Sequence, residues 1–169
     1  MTISLYDTSV PVIGQMLGAL SDLLDKGEAH AKAKNFDAGN LLNARLAPDM
    51  FVLTRQVQIA CDNAKGGIGR IAGVDIPKFE DTESSIADLK ARIAKTLEFV
   101  NSIPRAKIDG QEARDIVIPM RDRSLQMKGQ QYLLHWVLPN FFFHVTTAYN
   151  LLRHSGVEVG KINYLGKYQ

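Results

Sequence analysis

The stretch "LPNFFFHVTTAYNLLRHSGV", residues 138–157, carries the strongest architectural signal in the chain. At about 100° per residue, Phe142, Val145, Tyr149 and Leu152 form one apolar stripe of a helix. Phe141, His144, Ala148 and Leu151 form a second stripe beside it, and Phe143, Thr146, Asn150 and Arg153 make up the more polar side. A helix with so wide an apolar surface has to be covered by other helices. Upstream, the pattern extends to about Gln130 and passes through Pro139. Proline removes a backbone donor and clashes one turn back, so a kink is expected near Leu134–Leu138. Gly156 closes the helix, and Arg153 and His154 in its last turn suit the helix dipole.

Three further helices of similar length match it. In the first, Val10, Ile13, Leu17, Leu20 and Leu24 recur in steps of three and four. Met16, Leu23 and His30 run beside them, Thr8 or Ser9 is the candidate cap, and Pro11 falls in the first turn. "DAGNLLNARL" is a short helical piece. The second long helix is expected to begin with Pro48 in its first turn and to bury Met50, Leu53, Val57, Ala60, Ala64, Gly67 and Ile71. That seam turns small midway, where a partner helix can approach closely, and Gly73 is a natural stop. After the loop "VDIPKFEDTE", Asp81 or Thr82 is the candidate cap of a third helix with Ile86, Leu89, Ile93, Leu97 and Val100 inside, ended by Pro104. An Asp-Gly turn and the run "DIVIP" mark a small β-hairpin, with strands near 114–118 and 124–128. The tail from Val157 is read as extended and docked on the bundle. Four such helices predict an all-α four-helix bundle, a single domain over residues 1–169, with a small hairpin before the last helix.

Composition excludes several classes of function. Hydrophobic residues make up 46% and charged residues 22% of the 169, an ordinary balance for a soluble domain. The net charge of +2 and the lack of a basic run speak against nucleic acid as a partner. No apolar run approaches the roughly 20 residues of a membrane span, and the N-terminus lacks the pattern of a signal peptide. The lone Cys61 excludes an internal disulfide and fits a cytoplasmic location. It reads as a small core thiol rather than a nucleophile. "AKGGIGRIAG" is glycine-rich but lacks the Lys-Ser/Thr ending of a phosphate loop and follows a helix, not a strand.

His144 is the residue with chemical promise. A buried imidazole needs partners for both ring nitrogens. Either a metal takes one of them, or polar side chains take both. A His-x3-His pair would suit a metal, but the residue four before His144 is Asn140. His135 lies before the proline, and its direction depends on the kink. Arg45 and Asp49 flank the start of the second helix, and Gln56 and Asp62 lie beside its apolar stripe. Each reads either as a cap, surface contact or ion pair, or as part of a polar pocket shared with His144.

The segments "LLNARLAPDMFVLTRQVQIACDNAKGGIGRIAG", "FEDTESSIADLKARIAKTLEFV" and "YLLHWVLPNFFFHVTTAYNLLRHSGVEVGKINYLG" resemble a bacterial family of unknown function within the DinB-like (YfiT-like) superfamily of metalloenzymes. The resemblance covers almost the whole chain and implies a DinB-like, usually dimeric bundle. Many members of that superfamily hold zinc or nickel through three histidines, one on the second helix and two in a His-x3-His on the fourth. Some are thiol transferases or thiol-dependent isomerases. The resemblance aligns His144 with the second histidine of that pair and Asn140 with the first, and places the helix-two ligand near Gln56, in "LTRQVQIACD". Amides bind zinc much more weakly than imidazole.

The expectation is therefore a bundle protein with no cofactor and a small-ligand or interaction role, with its candidate pocket at Gln56, Asn140, His144, Asp49 and Arg45. The alternative is a zinc- or nickel-dependent hydrolase or thiol transferase with a site rebuilt around His144, His135 and carboxylates such as Asp49 or Asp62. Gln56 is the first candidate for a hydrogen bond to His144, which is expected to be buried. The wide apolar surface of the fourth helix and the small-residue seam of the second also predict a homodimer. Light scattering at micromolar concentration should give about twice the chain mass of 18.7 kDa. A monomer mass would contradict the dimer.

Overall fold

Four long helices carry the core: α1 (Val10–Ala33), α3 (Leu53–Ala72), α4 (Ile86–Ser102) and α6 (Leu138–His154). This computed structural model describes residues 3–120 and 122–167, so Met1, Thr2, Arg121, Tyr168 and Gln169 of the expected domain lie outside the described residues. α3 packs on α6 and α4, and α1 packs on the other sides of the same two helices, which closes a four-membered ring. The expected seams face inward. Ile13, Leu17, Leu20 and Leu24 of α1, and Leu53, Val57, Ala60, Ala64 and Ile71 of α3, are fully buried. The fold is the all-α bundle expected, with one two-stranded antiparallel sheet, β1 (Asp115–Pro119) and β2 (Ser124–Lys128), before the last helix. Ile116 and Ile118 turn into the core while Val117 points out, the alternation a half-buried strand requires. Among the described residues no helix is long and apolar enough to cross a membrane.

Several boundaries differ from expectation. α3 begins at Leu53, because Pro48 and Asp49 form a turn and Val52 is extended. The preceding segment includes the short α2 (Gly39–Leu42), and the Leu53 amide donates to the carbonyl of Ala44. α4 is capped by Ser85, not Asp81 or Thr82. The Ser85 hydroxyl accepts from the Asp88 amide, and the Asp88 carboxylate accepts from the Ser85 amide in return. At α1 neither Thr8 nor Ser9 caps the helix with its side chain, because both hydroxyls donate backwards, to the carbonyls of Ser4 and Leu5. The tail is extended only as far as Gly160. It then forms α7 (Lys161–Leu165), which docks on α1 through a Gln15 Nε2 to Leu165 carbonyl bond of 2.7 Å.

The expected kink takes the form of a π-helical turn. α5 (Gly129–Tyr132) runs through the π turn Leu133–Val137 into α6, with Pro139 in the first turn of α6. Pro139 has no N–H to give, and the widened turn accommodates its ring. Asn140 adds a side-chain donor at the same place, from Nδ2 to the Trp136 carbonyl at 2.7 Å. The turn leans on the small seam of α3. A Cβ at Gly67 would lie 2.5 Å from Val137 Cγ1. At Gly67 the seam thus makes room for the π turn of the same bundle.

Gly67→Ala should therefore cost stability, although alanine is the better helix former by about 1 kcal/mol. Urea unfolding should show a loss of about 1–3 kcal/mol, the usual range for overpacking. Val137→Ala in the same chain should restore part of it.

Candidate functional site

α3 and α6 bring Gln56 and His144 together. Gln56 sits one turn into α3 and is 1% exposed. Its Nε2 donates to the Phe51 carbonyl at 3.1 Å, so its Oε1 faces α6 and lies 2.7 Å from His144 Nδ1. The reversed amide would set Oε1 against the Phe51 oxygen, acceptor against acceptor. A neutral imidazole donates through one nitrogen and accepts through the other. Nδ1 therefore carries the proton, and the lone pair is on Nε2.

His144 is half-buried, not buried as expected. Its stripe neighbours Phe141, Ala148 and Leu151 are in the core, but the ring extends past them to the surface. Among the described residues Arg92 Nε is the one buried side-chain nitrogen or oxygen without a partner. Among the described residues His144 Nε2 has no hydrogen-bond partner, and it is not fully buried, so it reaches solvent. Phe143 meets the imidazole edge-on, with ring centroids 5.2 Å apart. Phe143 is 56% exposed and Phe51 58%. Burial, assisted by the positive charge of Arg55, holds the His144 pKa below its ordinary 6.5. At pH 7 the ring is neutral, with an accessible lone pair beside exposed aromatic surface.

The other expected pocket residues do not join it. Asn140 is committed to the Trp136 carbonyl. Arg45 is exposed and folds back onto the Pro48 carbonyl at 3.1 Å, because the segment before α3 is a turn and not helix. Asp49 is exposed in the same turn and has no hydrogen bond to His144 or Gln56. His135 is exposed on the π turn. Cys61 is a core thiol whose pKa burial pushes up to about 12.

A second polar cluster, which the apolar periodicity does not single out, lies between α3 and α4. Arg92 is 3% exposed. Its guanidinium meets Asp62 at 2.9 Å, Asp81 at 3.0 Å and Glu83 at 2.9 Å. Lys65 pairs with Asp62 at 3.0 Å, and Gln58 donates to Glu83 at 2.8 Å. The Phe79 ring lies against both cations. Burial acts to raise the Glu83 pKa, but hydrogen bonds from Arg92 and Gln58 outweigh it and hold the carboxyl below its ordinary 4.5. The signal that could have found it is spacing. Gln58, Asp62 and Lys65 share one face of α3, and Arg92 stands three residues after Leu89 on the buried side of α4. Asp81 is consumed here and by Arg55, which is why it does not cap α4.

The bundle has relatives among known proteins. A family model described as a domain of unknown function, DUF1993, matches residues 5–165. The chain belongs to the DUF1993 family. A crystal structure of a DinB family member protein from Shewanella denitrificans is 43% identical to this DUF1993 chain, with a TM-score of 0.88. The match covers 97% of this chain and 93% of that one, so the bundle is DinB-like. A search of curated proteins finds no match.

A three-histidine metal centre does not fit the side chains present. At the positions where the resemblance would put its ligands, Gln56 Oε1 is taken by His144 and Asn140 faces a backbone carbonyl. Among the described residues no group of three or more His, Cys, Asp or Glu side chains is placed to hold a metal ion.

Arg92→Met should destabilise the fold by about 3 kcal/mol, because one buried cation holds three carboxylates. The loss is at the low end of the usual range, since Asp62 and Asp81 stay partly solvated. The Glu83 contribution is present above the unfolded carboxyl pKa and is lost as pH falls through the lower folded value. The gap between wild type and variant in urea melts should therefore narrow below about pH 4.5.

Proposed function

We propose that this DUF1993 protein is a binding protein that works through the outward face of His144, not an enzyme built on a three-histidine metal centre. One observation carries the reading: Gln56 holds Nδ1 from inside while Nε2 faces solvent next to exposed Phe143. A well-packed bundle has no structural need to hold an imidazole in one tautomer with its basic nitrogen outward. A buried structural histidine would have both nitrogens satisfied. Exposed aromatic side chains near a single directed polar atom are the usual make-up of a recognition surface.

A metal site rebuilt around His144 has less support. Asp62 is paired with Arg92 and Lys65, and neither His135 nor Asp49 hydrogen-bonds the imidazole.

Elemental analysis of protein purified without a His tag should find zinc and nickel well below one per chain. A stoichiometric metal that disappears in His144→Ala would overturn the reading. In a fragment screen followed by NMR, the resonances perturbed by hits should centre on His144 and Phe143.

A further inference from the structure

We infer that the His144 surface takes a small ligand with an aromatic body and a hydroxyl group, the hydroxyl donating to Nε2 and the ring lying against Phe143. The inference rests on the binding reading above and names the chemistry of the occupant.

The polar half of the argument is the tautomer. The bond from Gln56 Nε2 to the Phe51 carbonyl fixes the amide, and the amide fixes the proton on Nδ1. Nε2 can then only accept. A carboxylate or phosphate oxygen arriving there would meet a lone pair, whereas a hydroxyl brings the proton the site lacks. Arg55 is the cation whose field reaches His144, but its guanidinium is engaged by Asp81 at 2.5 Å and by Gln58 at 3.2 Å. Little positive charge is left to attract an anion.

The apolar half is the setting. Phe51 gives its carbonyl to Gln56, and the Phe143 ring meets the imidazole edge-on, so both residues adjoin the hydrogen-bonded pair. Both rings are more than half exposed. Planar aromatic groups pack on such rings edge-to-face or offset.

Acid should switch this preference without disturbing the interior. Of the charged groups on α3 (Arg55, Asp62, Lys65, Arg70), on α6 (Arg153, His154) and before α3 (Arg45, Asp49), Arg55, paired with Asp81, is the one whose charge acts on His144. Protonation adds a hydrogen at Nε2 while the Nδ1 bond to Gln56 persists. The acceptor then becomes a donor on a cationic ring, so a hydroxyl turns to accept and an anionic oxygen becomes a favourable partner as pH falls through the His144 pKa.

The test uses the whole protein and three probes: phenol, benzoate and toluene. Long-range nitrogen–proton NMR on the His144 ring reports its tautomer, its titration and its contact with each probe. The expected result is an Nδ1–H ring at pH 7.5, with phenol shifting Nε2 and binding at least fivefold more tightly than toluene or benzoate. Benzoate should gain on phenol in step with protonation of His144 on lowering the pH. Gln56→Leu should mix the tautomers and weaken phenol, and His144→Phe should reduce phenol to the level of toluene. An Nε2–H ring in the wild type would overturn the inference, whatever the variants do. Equal binding of toluene, or benzoate binding as tight as that of phenol at pH 7.5, would overturn the ligand class while leaving a binding surface at His144. Failure of all three probes to perturb His144 would count against both readings.

Discussion

α3 can lie against the π turn only because residue 67 has no side chain. Val137 occupies the space where a Cβ would be. That close approach sets how α3 and α6 face each other along their length, and α3 is also the helix that α4 packs on. Both polar clusters depend on it. Gln56 meets His144 on one side of α3, and Gln58, Asp62 and Lys65 meet the Arg92 cluster on the other.

The two clusters meet the same physical demand in different ways. Buried polar atoms must be paired, or the fold loses the hydration they gave up. Around Arg92 the pairing is by charge and nearly complete, with Nε alone left over. It ties the connection carrying Phe79, Asp81 and Glu83 to two helices. At His144 the pairing is by neutral hydrogen bonds and stops halfway across the ring. An amide cannot drive a proton onto the imidazole as a carboxylate would. Burial and Arg55 both favour the neutral ring, so its outer nitrogen keeps a lone pair at neutral pH.

Departures from the expected elements follow from competition for partners. Asp81 has the character of a helix cap, but two arginines claim its carboxylate, and Ser85 with Asp88 forms the cap instead. Asn140 stands where one histidine of a ligand pair would be, yet its amide serves the backbone beside Pro139. Arg45 and Asp49 would lie close to the site if the helix ran from Pro48 onward. A turn there leaves them on the surface.

By itself the sequence determined the bundle. Three-four periodicity is local, and apolar stripes on four helices must be buried against one another, so the spacing alone assigns Leu17, Val57, Ile93 and Leu152 to the core. The same periodicity put His144 on a core-facing stripe and Gln56 beside another, which made their hydrogen bond foreseeable. Three things were decided only in the tertiary structure: how far the His144 ring extends beyond Phe141 and Ala148, which of its nitrogens is held, and which carboxylates gather on Arg92. Helical phase gives a direction but not a depth. A tautomer is set by the orientation of one distant amide, and ion-pair partners are chosen among residues up to 30 positions apart by distances that exist only once the helices are packed.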